Sequence, residues 1–425
     1  MPSSRALCCG VIGVGFFIPA LTLAQPRLEL IDAFREVEAS HPSIIAKREE
    51  LRAAERLLSA ARQQRMPTLS VQTSRPNTVN AASLNVARLQ QPLYAGGRID
   101  AGIERAEAQL DEVRSGLEAT TRDLLNRTAS SFLDVVKGDA RLRVADRNVA
   151  EHRRLLESIG RRVGAEISPE SDLMLTRSRL SQAETERLQI VLSLRRAQDS
   201  LTELLSRQSP TLAAPEGPHP PAFVDLEAAI AAGLAFSPEV RRAEALQRMA
   251  AAEFDAAKAL ALPSVFVRHE QMVGGLEPGY QRSQTYVGIE FLPGAGISTA
   301  SQVQAADNRR RSAIESRRAA EKELKDRIRA LWAESESLAR QLESATGYVE
   351  ASQAVAESFS RQFTIGRKTW LELLNAVRES LLAELSLIEI SWNLRLAHLR
   401  LETETGKIFS GAPPAIERPT GRPQP

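Results

Sequence analysis

The feature that most constrains the fold is a stretch of 119 residues without proline, from Gly294 to Ala412. Proline costs about 3 kcal/mol inside a helix, so its absence here favours helices of unusual length. One break, centred on Gly366, predicts a hairpin of two long helices whose first arm is about 100 Å long at about 1.5 Å per residue. Apolar residues recur at sevens on both sides of the break, as in a coiled coil: Leu324, Leu331, Leu338, Leu374, Leu381 and Ile388.

An internal repeat accounts for nearly all of the chain. Pro42 and Pro67 in the first half match Pro238 and Pro263 in the second, at a constant separation of 196 residues. Each copy predicts two short helices, two alternating strands and a long helical hairpin. The predicted boundaries are a first repeat at 25–208 (strands about 68–75 and 82–93, hairpin 97–207), a Pro-rich linker at 209–223, a second repeat at 224–411 (strands about 264–271 and 284–292, hairpin 297–410) and a Pro-rich tail at 412–425.

The N-terminus predicts a secretory signal peptide over residues 1–24. Arg5 supplies the positive charge, 6–23 form the apolar core, and small residues precede a cleavage site after Ala24. Cys8 and Cys9 are the two cysteines of the chain, so the mature protein would have no thiol. The alternative is an uncleaved membrane anchor. Lipid attachment is disfavoured because the cysteines precede most of the apolar core.

Composition and motifs exclude several classes of function. The chain has 55 basic and 53 acidic residues, which gives no basis for a nucleic-acid partner. It has no phosphate-binding or dinucleotide-binding glycine motif, so we expect no enzyme activity and no cofactor. We also expect no metal site, because the histidines lack ligand spacing; His152 and His398 are predicted on helix surfaces and the others are His41, His219 and His269.

The predicted strands raise the question of a membrane. No run after the signal reaches the ~18 apolar residues of a transmembrane helix, whereas each strand has about the 9 to 11 residues that cross a bilayer. One chain cannot close a membrane barrel, because the smallest have about 8 strands. Either several chains share one barrel or the strands form a soluble sheet. Each long hairpin begins where a strand ends, which favours a barrel continued by a helical tunnel.

This arrangement resembles the TolC-like outer-membrane efflux protein family, and the resemblance covers nearly all of the mature chain. Three motifs carry it: Gln91-Pro-Leu-Tyr-Ala-Gly-Gly-Arg98, Val163-Gly-Ala-Glu-Ile-Ser-Pro-Glu-Ser-Asp172-Leu and Phe363-Thr-Ile-Gly-Arg-Lys-Thr-Trp-Leu-Glu372-Leu-Leu-Asn375-Ala. The resemblance implies a mainly α protein with a small β part. It also implies a homotrimer in which a 12-stranded β-barrel is continued by a 12-helix α-barrel.

The function implied by the resemblance is passive. Such a trimer lies in the outer membrane with a large periplasmic part, in contact with outer-membrane lipid. It serves as the exit duct of a tripartite efflux or type I secretion system. Its partners are a periplasmic adaptor (membrane fusion) protein and an inner-membrane transporter that supplies the energy.

The resemblance also assigns roles at the two tips. The periplasmic gate is an acidic ring, matched by Glu372 and by Asn375, which stands where the prototype has an aspartate. The residues that match the latch closing the entrance are Lys368, Arg367, Phe363 and Asp172. The residues expected to contact the adaptor are Gly164, Ser168, Gly366, Thr369 and Trp370.

Two alternatives remain open at this stage. One is a duct dedicated to type I protein secretion, since the tip segment 167–172 and the junction 291–296 look like that branch of the family. The other is a periplasmic structural coiled-coil or adaptor protein, which would not need strands at regular places in a duplicated chain.

Overall fold

The computed structural model of the protein describes residues 27–74, 84–205, 211–215, 217, 219–273, 282–291 and 298–409. The predicted signal peptide with its cleavage site, the C-terminal tail, parts of the linker and the junction 292–297 lie outside these residues. Leu28 forms a parallel bridge with Leu212, so the described start of the linker lies against the start of the first repeat.

The first repeat contains four helices and two strands. They are α1 (Leu30–Ser40), α2 (Pro42–Gln63), β1 (Thr68–Ser74), β2 (Leu84–Tyr94), α3 (Arg98–Gly164) and α4 (Glu170–Leu205). The second repeat has the same order: α5 (Leu226–Phe236), α6 (Pro238–Ala259), β3 (Ser264–Val273), β4 (Ser283–Glu290), α7 (Ser298–Thr364) and α8 (Trp370–Thr405). A short 3-10 helix, Lys407–Phe409, follows α8. The expectation of a mainly α chain with a small β part is confirmed.

The long helices of the two repeats match in length. Helices α3 and α7 each have 67 residues, and α4 and α8 each have 36. At about 1.5 Å per residue, the longer arms extend for about 100 Å. The two hairpins therefore have arms of equal length.

The prolines that divide the short helices act as helix starts. Pro42 and Pro238 occupy the first turn of α2 and α6, where the missing N–H has no intrahelical partner to lose. The side chains of His41 and Ser237 cap these helices by accepting hydrogen bonds from backbone N–H groups. These local signals explain why both repeats break at the same place.

The described strands form one antiparallel sheet in the order β1–β2–β3–β4. The pairing of β2 with β3 joins the two repeats into one sheet. Successive side chains of a strand point to opposite faces, and one face of this sheet is apolar and exposed, with Leu69, Val71, Val287 and Ile289 on it. Phe266 on the opposite face lies over Gly288, where a Cβ would come within 2.5 Å of the ring.

Helix α3 is the centre of the helical part and packs against α2, α4, α6 and α8. The largest apolar cluster surrounds its fully buried Phe132, together with Leu201 of α4. A separate cluster lies at the hairpin tips. Among the described helices, none is both long and apolar enough to cross a membrane.

Candidate functional site at the hairpin tips

The second tip turns at Gly366, as the sequence predicted. Gly366 has a φ of 75°, in the left-handed region that glycine tolerates. Its N–H donates to the carbonyl of Phe363 at 3.0 Å, and the N–H of Arg367 donates to the carbonyl of Gln362 at 2.9 Å. These two bonds form a Schellman motif, which satisfies the last carbonyls of α7 and fixes the direction of the chain into α8.

Helix α8 starts with a reciprocal cap between Thr369 and Glu372. The hydroxyl of Thr369 accepts a bond from the Glu372 N–H at 3.3 Å, and the Glu372 carboxylate accepts from the Thr369 N–H at 2.9 Å. Such a capping box satisfies donors that the first turn would otherwise leave unpaired. The carboxylate of Glu372 is therefore held in one orientation by the backbone N–H of Thr369.

Lys368 adds an ion pair to this cap. Its Nζ lies 2.7 Å from Oε1 of Glu372 and 4.3 Å from the centre of the Phe359 ring. The hydrogen bond from Lys368 and those from Thr369 lower the pKa of Glu372 from 4.5 to about 2. The residue assigned to the gate and the residue assigned to the latch are thus partners within one hairpin.

Asn375 follows Glu372 by three residues, which places the two side chains on the same side of α8. Asn375 is exposed, and Glu372 is partly exposed. The second candidate of the acidic ring therefore lies next to the first. As an amide it contributes hydrogen-bonding groups there and no charge.

The first tip has the same turn geometry as the second, but it has no glycine at the left-handed position. Glu166 occupies the left-handed position, with a φ of 59°. The N–H of Glu166 donates to the carbonyl of Val163 at 2.9 Å, and the N–H of Ile167 donates to that of Arg162 at 2.8 Å, so the turn is again a Schellman motif. The sequence predicts a break over 164–168, and Gly164 is the last residue of α3, with the left-handed position at Glu166.

Trp370 joins the two tips inside one chain. It is 3% exposed, and its Nε1 donates to the hydroxyl of Thr176 in α4 at 2.6 Å. That hydroxyl in turn donates to the backbone carbonyl of Asp172 at 2.7 Å, and the Trp370 ring lies 4.8 Å from that of Phe363. The burial of Trp370 gives it a packing role, so any effect on a partner would be indirect.

The remaining predicted residues lie on the outside of the tips. Gly164, Gly366, Arg367 and Thr369 are exposed, and Ser168 is partly exposed. The carboxylate of Asp172 makes no ion pair and no side-chain hydrogen bond within the described part of the chain. The structure thus brings Phe363, Lys368, Thr369, Trp370 and Glu372 into one cluster, with Asp172 attached through its backbone alone.

A buried ionic cluster was not predicted from the sequence. Arg122 of α3 is 3% exposed and donates to Glu239 of α6 at 2.7 Å and to Glu404 of α8 at 3.2 Å. Burial alone would lower the pKa of Arg122, but the two carboxylates outweigh it and raise the pKa. The partners are 117 and 282 residues distant in sequence, so no local motif could have shown them.

The prediction that His152 and His398 lie on helix surfaces was wrong, because both are buried. Burial lowers the pKa of each imidazole. His398 Nδ1 lies 2.9 Å from the backbone oxygen of His219, whose own Nε2 lies 3.1 Å from Glu402, so these groups fasten the linker to α8. Within the described ranges, no cluster of three or more acidic, histidine or cysteine side chains has the arrangement of a metal site.

Residues 33–207 match the family model described as outer membrane efflux protein. A search of curated proteins gave no match. The chain is similar in fold to a membrane protein from Pseudomonas aeruginosa, with a TM-score of 0.78, 17% identity, and coverage of 88% of this chain and 90% of that one.

Two further solved structures share the fold. The outer membrane protein VceC of Vibrio cholerae has a TM-score of 0.75 and 16% identity, with 89% of this chain and 96% of that chain covered. The CmeC outer membrane channel of Campylobacter jejuni has a TM-score of 0.78 and 12% identity, with 89% and 85% covered. At these identities the structural likeness establishes the fold.

Proposed function

Because residues 33–207 match the outer membrane efflux protein family model and the chain shares the fold of outer membrane channels, we propose that it is the passive exit duct of a tripartite efflux or type I secretion system. The chain is located in the outer membrane, with a periplasmic part. In this proposal an inner-membrane transporter supplies the energy, and a periplasmic adaptor protein meets the hairpin tips.

The observation that carries this proposal is the continuity of an apolar sheet with a very long helix. β2 ends at Tyr94 and α3 begins at Arg98, after a turn that contains Gly96 and Gly97. One face of the sheet is apolar and exposed, which suits contact with lipid. The helix then extends for about 100 Å, a distance that suits a protein reaching from the outer membrane into the periplasm.

The sheet also supports a homotrimer. Four strands are too few to close a barrel, since the smallest have about 8, and β1 and β4 are left as edges within the described chain. We propose that three chains pair β4 of one with β1 of the next. That arrangement gives a 12-stranded β-barrel, with a 12-helix tunnel below it.

At the periplasmic end we propose that the gate is a ring of three copies of Glu372, with Asn375 beside it. The proposed latch consists of Lys368, Arg367, Phe363 and Asp172. The proposed adaptor surface consists of the exposed tip residues, with Trp370 supporting them from inside: Gly164, Ser168, Gly366 and Thr369. The capping box and the ion pair support the gate, because they hold Glu372 in a fixed orientation.

A duct dedicated to type I protein secretion is the second candidate, favoured by the tip segment 167–172. Expression with an inner-membrane transporter and adaptor distinguishes the two candidates. Export of a protein substrate without any change in resistance to small toxic molecules would support the secretion duct.

Purification in detergent and planar-bilayer recording test the duct itself. We expect a particle with the mass of three chains that conducts ions when it is added to a bilayer. A water-soluble monomer without conductance would overturn the proposal and favour the periplasmic coiled-coil alternative. We also propose cleavage after Ala24, so that sequencing of the exported protein starts at Gln25; a retained Met1 would contradict this.

A further inference from the structure

The two faces of the sheet differ sharply in chemistry. On one face, Val71 and Ile289 have exposed fractions of 71% and 74%. The register places Leu69 opposite Leu89 and Val267 opposite Val287, so all four strands contribute apolar side chains to this face. The same face also carries His269 and Thr285, which are paired in the register and hydrogen-bonded to each other at 2.8 Å. If the apolar face contacts lipid, the opposite face lines the interior of the duct.

The interior face carries a continuous hydrogen-bonded chain from β1 to β4. Arg88 Nη1 donates to Gln72 Oε1 at 2.7 Å, and Arg88 Nε donates to Glu270 Oε1 at 2.8 Å. Glu270 also accepts from Gln284 at 3.2 Å and from the Tyr286 hydroxyl at 3.3 Å. All four strands therefore contribute a side chain at one level.

A second arginine lies at the same level. Arg268 donates through Nε and Nη2 to Gln90 Oε1 at 3.0 and 2.8 Å, and through Nη1 to the Tyr286 hydroxyl at 3.0 Å. Its guanidinium also stacks 4.5 Å from the centre of the Phe266 ring. Glu270 is 4.0 Å away, but that carboxylate already bonds to Arg88. We name Gln72, Arg88, Gln90, Arg268, Glu270 and Tyr286 the arginine belt.

The charges of the belt do not balance. Each chain contributes two guanidinium groups and one carboxylate, which leaves one positive charge at this level. The other charged strand residue on the interior face, Glu290, ends β4 four positions beyond Tyr286, about 13 Å away at about 3.3 Å per residue. Charge in a narrow pore with a low-dielectric wall acts strongly on the ions that pass it.

We propose that the arginine belt is an anion-selecting filter in the membrane-spanning part of the duct, and that the exported substrates present negative charge as they pass it. The inference rests on the proposed duct, and it concerns the end of the molecule opposite the acidic tips. The two ends would then select in opposite senses, with cations attracted at the tips and anions in the sheet.

Gln90→Glu is the sharpest test of the belt. Arg268 already donates two bonds to the side-chain oxygen of Gln90, so a carboxylate at this position fits the same geometry and cancels the surplus charge. The recordings use a background in which both members of the tip ion pair are neutral, Glu372→Gln with Lys368→Gln, so that neither charge of the pair contributes to the measured selectivity. We expect the chloride-to-potassium permeability ratio to fall about two- to threefold, because the positive potential of the belt is lost.

The matched control is the double change Gln90→Glu with Glu270→Gln in the same background. It moves the carboxylate from one side of Arg268 to the other and restores the surplus positive charge, so the permeability ratio should return to its starting value. An unchanged ratio in Gln90→Glu channels that conduct normally would overturn the filter. A ratio that stays low in the double variant would also overturn it, because geometry and not charge would be the cause. If the unaltered protein does not conduct at all, the proposed duct itself is wrong.

Discussion

The ammonium of Lys368 and the carboxylate of Glu372 lie 2.7 Å apart on one side of the second hairpin tip. Their four-residue separation spans the start of α8, and the carboxylate bonds to the cap residue Thr369 at the same time. Because Lys368 pairs with Glu372, its positive charge compensates the negative charge of a carboxylate in its own hairpin. The proposed gate and latch should therefore respond together to substitution.

Replacing Lys368 with alanine should make the entrance more negative and raise the closed-state conductance. Glu372 then loses its cationic partner, so its pKa should rise from about 2 towards the ordinary 4.5. A depressed carboxyl pKa stabilises the folded tip above pH 4.5 and loses that effect as the pH falls towards 2. The acid sensitivity of cation selectivity, recorded in bilayers from pH 7 to pH 3, should therefore move to higher pH.

Arg367→Ala is the control for the acid response alone, because Arg367 also belongs to the proposed latch. Arg367 is the adjacent cation, it is exposed, and its side chain has no acidic partner within the described part of the chain. Equal shifts in both variants would show that the general charge of the tip, and not the Lys368–Glu372 pair, sets the acid response.

Glu372→Gln should reduce cation selectivity and weaken the block by divalent or trivalent cations added from the tip side. In the proposed trimer three carboxylates would face one axis and raise the local negative potential, which the amide removes while it keeps an oxygen for the cap. Asn375→Asp should strengthen the block by adding a second ring of carboxylates one helical turn away. Single-channel recording measures both effects. An unchanged block in Glu372→Gln would mean that the constriction lies elsewhere along the hairpins.

Glu166→Gly should stabilise the first tip. Glu166 has a φ of 59°, where a side chain costs about 1 kcal/mol that glycine avoids. The reverse change at the matching position, Gly366→Ala, should cost a similar amount because Gly366 has a φ of 75°. Thermal unfolding of the detergent-solubilised protein should show opposite shifts in midpoint, and shifts of the same sign would contradict the equivalence of the two turns.

Trp370→Phe should loosen the tips from each other. An aromatic ring is kept, but the hydrogen bond to Thr176 is lost at a cost of about 0.5–1.5 kcal/mol, and the smaller ring adds the cost of a cavity. Thr176→Val should cost about 1–3 kcal/mol, because it leaves the buried indole N–H without an acceptor. Trypsin cleavage after Arg367 and Lys368 reports the loosening. Trp392→Phe, which is remote from the tips, should leave cleavage unchanged; faster cleavage there would mean that the assay reports global stability.

The sequence predicted the elements better than the contacts at their ends. Strand β1 was expected at 68–75 and occupies Thr68–Ser74, because alternating side chains and a following Arg-Pro-Asn turn are local signals. The turn at Gly366 was equally local. The left-handed turn at Glu166 was missed, since nothing in a glutamate indicates a positive φ and the energy that enforces it comes from the packed helices on either side.

In the cluster at the hairpin tips, too, the sequence predicted the elements but not the contacts between side chains. The four-residue spacing of Lys368 and Glu372 is visible in the sequence. The family resemblance places one in the latch and the other in the gate, so it does not indicate that they pair. The burial of Trp370 depends on Thr176, which is 194 residues distant along the chain and comes close only when the repeats pack. Contacts between repeats, like those of Arg122, depend on the tertiary fold and not on any local pattern.

The pairing of β2 with β3 has a consequence for the order of folding. Arg88 and Glu270 are 182 residues apart, so their contact closes a long loop, whereas each helical hairpin forms from neighbours in sequence. The hairpins should therefore assemble first, and the sheet last. Until then the apolar strands are exposed edges prone to pair with the wrong chain. For the proposed duct, insertion into lipid would then be the step that completes the fold.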